Sequence, residues 1–153
     1  MTSSPSPVYA ASSPPASTTV FNDKMSIPDA KKRFQAARQD LQYLVDHYSE
    51  ISKSGGGDAV RNYLGTQGVT SNMYGIQKLL KLLQGESEDL VDYTEAMEDF
   101  NAYYYQAEGA AYQSLFAGGS SSKSTPESLL ATAKLDILQM AKYMDQLASQ
   151  LSL

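Results

Sequence analysis

The stretch PESLLATAKLDILQMAKYMDQLASQL, residues 126–151, decides the fold class. Its apolar residues Leu129, Leu130, Ala133, Ile137, Met140, Ala141, Met144, Leu147 and Leu151 recur mostly at steps of three and four, which lines them up on one face of a helix. That face leaves water only against a partner. Working outward, the same spacing returns at Phe34, Ala37, Leu41, Leu44, Val45, Tyr48 and Ile51. A third set comprises Leu90, Tyr93, Met97, Phe100, Tyr104, Ala107, Ala111 and Leu115, and an interrupted one runs from Val60 and Leu64 to Ile76, Leu79, Leu80 and Leu83. Four stripes with glycine- and serine-rich breaks predict an all-α, up-down-up-down four-helix bundle over residues 26–153. A flexible Ser/Pro-rich segment over residues 1–25 precedes it.

Local chemistry sets the expected ends of the rods. Ser26 is placed to cap the first helix, with Pro28 and Asp29 in its first turn and Gly55-Gly56-Gly57 as the stop after about Ser52. Asp58 then caps a short turn, Gly65 and Gly68 break it, and Ser71 or Asn72 restarts a helix that ends at Gly85. The third helix opens at Ser87 and runs to Gly118-Gly119. Gly118 to Lys123 reads as a flexible loop. Ser124 and Glu127 form a capping-box pattern for the last helix.

Composition narrows the class. Seventeen acidic against twelve basic residues leave a net charge of -5, which argues against a nucleic-acid binder. With no cysteine, neither a disulfide framework nor a thiolate metal site is open to it. No apolar run approaches the roughly 20 residues needed to cross a bilayer, so the chain reads as a soluble protein. Met1 to Val20 is mostly Ser, Pro, Ala and Thr, lacks the basic start and apolar stretch of a secretory signal, and reads as a tail or a remnant of processing.

Candidate sites are few. His47 is the only histidine, and with Glu50 on the same helix face it allows a zinc or proton-relay role to be imagined. A di-metal bundle site needs Glu-x-x-His on two helices, and one histidine cannot supply it, so a boundary histidine is the reading taken. Glu88, Asp92, Glu95 and Asp99, thickened by Glu86, Asp89 and Glu98, form an acidic ridge. Spread over three turns, these acids do not converge on one ion as a calcium loop does, and the ridge reads as a solvated face. Lys31, Lys32, Arg33 and Arg38 cluster where positive charge opposes the helix dipole, so local stability does not explain them. They serve either docking or pairing with the ridge. Tyr103, Tyr104 and Tyr105 point about 100° apart on a helix; Tyr104 continues the core stripe, and Tyr103 or Tyr105 must approach the surface. Tyrosine suits such half-dry boundaries. No catalytic, cofactor-binding or metal-binding residue is expected.

The run Gly56-Gly57-Asp58-Ala59-Val60-Arg61-Asn62-Tyr63-Leu64-Gly65, then Met73-Tyr74-Gly75-Ile76-Gln77-Lys78-Leu79-Leu80, a long acidic and Tyr-rich helix, and Lys134-Leu135-Asp136-Ile137-Leu138-Gln139-Met140 together resemble the PsbQ-type extrinsic proteins of photosystem II, most closely those of red-lineage algae such as diatoms. The resemblance spans Phe21 to Leu153. It implies an up-down-up-down four-helix bundle and a non-enzymatic subunit in the plastid thylakoid lumen. Such a subunit is peripheral to the membrane, held by contacts with photosystem II lumenal subunits and other extrinsic proteins. It implies shielding of the manganese–calcium cluster and retention of calcium and chloride. The plant members are basic and this chain is acidic, so a docking surface does not transfer whole. The Gly56 to Leu64 segment carries Arg61 and Tyr63 into the expected docking set; Lys31, Lys32, Arg33, Arg38, Tyr103 and Tyr105 enter it on their own chemistry. Two other classes remain: a secreted or virulence-type helical interaction module, and a metal or small-ligand binder. The second is disfavoured by stripes of Leu, Ile, Met and Ala, which leave no polar residues facing a core ligand.

Overall fold

Ser26 opens the first helix as expected, its hydroxyl accepting the amide of Asp29 at 3.3 Å with proline in the first turn. In the structure, a computed structural model that describes residues 8–119 and 123–153, five helices follow. They are α1 (Ile27–Asp46), α2 (Tyr48–Leu64), α3 (Ile76–Leu82), α4 (Leu90–Ser114) and α5 (Pro126–Gln150), with a 3-10 turn at Gln84–Glu86. Among the described residues the one extended pairing is a single bridge between Ala10 and Ser13.

The all-α class stands, and the four-helix up-down-up-down arrangement is corrected to five helices. The difference arises at two places. His47, at φ -120° and ψ 23°, parts the expected first rod into α1 and α2 while the apolar stripe runs on through Tyr48 and Ile51. The glycine run then fails to stop the chain. Gly56 takes φ 61° and ψ -149°, a conformation open essentially to glycine, and kinks α2 between helical segments on both sides. The helix ends instead at Gly65, which caps it at φ 80°. The restart comes at Ile76 and yields a helix of 7 residues.

Other ends move for similar reasons. Asp89 caps α4 by accepting the amide of Asp92 at 2.9 Å, in place of Ser87. Thr125 and Ser128 form the reciprocal capping box of α5, in place of Ser124 and Glu127. Helix α4 closes at Ser114, before the glycine pair. Of the expected flexible loop, residues 120–122 lie outside the described residues, as do residues 1–7 of the leader.

One apolar core joins all five helices. Phe34, Leu41 and Leu44 of α1 meet Ile51, Val60 and Leu64 of α2, Ile76, Leu79 and Leu80 of α3, Phe100 and Ala107 of α4, and Ile137, Met140, Met144 and Leu147 of α5. Helices α4 and α5 run antiparallel: Tyr103 stacks on Tyr143, while the amide of Glu88 donates to the carbonyl of Gln150 at 2.9 Å. Buried tyrosines close gaps that helix geometry leaves. The Tyr104 hydroxyl donates to the carbonyl of Leu64 at 2.7 Å, and that of Tyr93 to the carbonyl of Leu80, both among the last carbonyls of their helices. Burial holds both phenols well above the ordinary tyrosine range, so they remain donors.

The N-terminal segment, expected to be flexible, contacts the bundle from Tyr9 onward. Tyr9 stacks on Tyr43 at 4.0 Å, the Ser17 amide donates to the carbonyl of Thr70 at 2.6 Å, and Asn62 donates to the carbonyl of Ser12 at 2.9 Å. Bundle side chains take up the segment's backbone carbonyls, Asn62 that of Ser12 and Tyr63 that of Ala10.

Candidate interaction surface

Arg33 shows most clearly what helical spacing alone misses. It is 2% exposed, and its guanidinium donates to the Ser17 hydroxyl at 2.9 Å, to the carbonyls of Ser71 and Tyr74 at 3.0 Å each, and to the carbonyl of Thr19. The Phe21 ring lies over it at 5.6 Å. Asp40, seven residues on and 1% exposed, accepts from the Tyr9 hydroxyl at 2.8 Å and from the Asn72 amide at 3.0 Å. Together they bind α1 to the N-terminal segment and to the loop before α3. Burial lowers Arg33 and raises Asp40 from their ordinary values, while each one's charge opposes the shift in the other. Arg33 is therefore an internal anchor, and its place in the expected docking set is corrected.

Tyr63 is corrected for the same reason. It is fully buried and donates to the carbonyl of Ala10 at 2.6 Å. The other expected residues are dispersed. Lys31 reaches Glu86 at 3.8 Å, and Arg38 reaches Asp145 on α5 at 3.0 Å, so the basic cluster is partly satisfied within the molecule. Lys32 is exposed and makes no ion pair among the described residues. Arg61 holds Glu108 at 2.8 Å and lies over the Tyr112 ring at 5.0 Å. Tyr103 is half-buried against Tyr143, whereas Tyr105 is 64% exposed. His47 stacks on Tyr43 at 4.0 Å, beside the break between α1 and α2.

The structure adds an outward aromatic face that the core stripe concealed. Tyr105, Tyr112 and Phe116 follow at steps of seven and four along α4 and the turn after it. Tyr112 is 48% and Phe116 69% exposed, and their rings meet edge to face at 5.2 Å. Reading a second periodicity along the same helix, outside the core stripe, was the available signal. Around Arg61, Glu108 and Thr66 close a polar border, with the Thr66 hydroxyl donating to Glu108 at 2.6 Å.

Among the described residues no group of three or more His, Asp or Glu side chains is placed to hold a metal ion, the acidic ridge included. No helix among them is long and apolar enough to cross a membrane. Compared with protein-family models, with curated proteins and with solved structures, the chain matches none of them.

Proposed function

We propose that this protein is a non-catalytic extrinsic subunit on the lumenal side of photosystem II, where it binds neighbouring subunits, shields the manganese–calcium cluster and helps retain calcium and chloride. The observation that carries a binding role is the exposed Tyr105, Tyr112 and Phe116 face beside Arg61. Aromatic rings are enriched at protein interfaces because they bury large area with few rotamers to freeze, and arginine because its planar fork makes several hydrogen bonds at once. Lys32, exposed and without an ion pair among the described residues, adds a charge that steers encounter with an acidic partner. The choice of partner rests on the resemblance of Gly56 to Gly65, Met73 to Leu80 and Lys134 to Met140 to the PsbQ-type proteins.

Salt washing of thylakoid membranes tests the reading. The protein is expected to leave with the wash and to rebind from the purified state, restoring oxygen evolution at low calcium and chloride. Absence from the membranes, or rebinding without effect on oxygen evolution, contradicts it. Recovery from a secreted fraction instead would favour the unrelated helical interaction module.

A further inference from the structure

Between the first turns of α2 and α5 lies an open groove of about 550 Å³. Of the three consecutive glycines only Gly56 lines it, and a Cβ there would meet nothing within 4 Å, so α2 presents bare backbone to the groove at that point. The floor is apolar. Tyr48 spends its hydroxyl on the carbonyl of Leu130 at 2.5 Å, so it offers ring carbon to the groove, alongside Leu130 itself and Ala131. The rim is charged. Lys53 comes from α2 and Lys134 from α5, and neither has an ion-pair partner among the described residues. Glu127 supplies the one acid among the lining residues.

Clefts of roughly 300–1,000 Å³ with an apolar floor and a few polar groups are the usual form of small-ligand sites. An apolar floor beneath two ammonium groups selects a molecule with a hydrocarbon body and one anionic head. We propose that this groove binds a medium-chain monocarboxylate, its head between Lys53 and Lys134 and its chain along Tyr48 and Leu130. The groove is lined from α2 and α5, and none of its lining residues belongs to the aromatic face of α4, so this inference does not rest on the docking reading.

The test titrates the full chain with decanoate below its micelle concentration, read by NMR shift mapping. Saturable shifts are expected at Tyr48, Ser49, Lys53, Leu130 and Lys134. Decanol, which lacks the charge, and acetate, which lacks the chain, should each bind at least about tenfold more weakly. Exposed ion pairs contribute modestly, so K53Q/K134Q is expected to weaken decanoate about fivefold or more, with an unchanged helical spectrum. E127Q removes the competing acid and should tighten binding. No saturable shifts, shifts centred on α4, equal binding of decanol, or indifference to both variants would each overturn the proposal.

Discussion

Asp40 holds a carboxylate where water scarcely reaches it, and burial raises its proton affinity despite donors from Tyr9 and Asn72 and the field of Arg33. The folded chain thus binds the Asp40 proton more tightly than the unfolded chain does. The stability this contributes is fully present below the ordinary aspartate value of about 3.9 and is lost as pH rises through the raised folded value. Asp40→Asn removes that dependence. Between about pH 4 and pH 7 the melting temperature of the variant should therefore gain on the wild type, and a difference independent of pH would contradict the assignment. Gly57 supplies a second residue-scale prediction. A Cβ there would stand 2.3 Å from both the carbonyl oxygen of Ala111 and the hydroxyl of Ser114, so α2 approaches α4 only because the side chain is missing. Gly57→Ala should cost about 1–3 kcal/mol by overpacking, measured by denaturant unfolding. An unchanged midpoint would show that the two helices stand further apart.

At the scale of elements, the apolar stripes were legible and the bends were not. Leu41, Ile51, Phe100, Ile137 and Met144 are buried where their spacing places them, because a three-to-four step is a property of the helix itself. Leu90 and Leu115, at the ends of the third stripe, are instead 59% and 39% exposed, since a stripe does not say where its partner helix stops. The break at His47 carries no glycine or proline to announce it, and the glycine run that looks like a stop is passed by a kink at one residue. Docking residues were harder to read. Arg33 and Asp40 flank the stripe of Phe34, Ala37 and Leu41 at a spacing of seven, and charge alone could not tell an anchor from a surface cation. Their burial depends on Tyr9, Ser17, Thr19 and Asn72, partners far along the chain. The element-scale prediction tests the core directly. Leu41→Ala and Ile137→Ala should each cost about 2–5 kcal/mol in unfolding free energy; a change near zero for either would remove that helix face from the core.

The described residues form a five-helix body whose N-terminal segment is tied down by Tyr9, Arg33, Asn62 and Tyr63, with aromatic rings left facing outward on α4. Internal and external roles are thereby separable. Charge reversal at Arg33 would break the anchor, so a loss of binding in that variant would say nothing about docking. Lys32, Tyr105, Tyr112 and Phe116 touch solvent and can be altered with the core intact. On the proposed function, this outer face recognises a protein. The most direct test compares rebinding of the wild type and of Y105A/Y112A/F116A to salt-washed photosystem II membranes. Interface aromatics commonly cost more than 1 kcal/mol each on truncation, so affinity should fall by a factor on the order of a hundred with the melting temperature held within a few degrees. Equal rebinding by the two proteins, both fully folded, would contradict the claim.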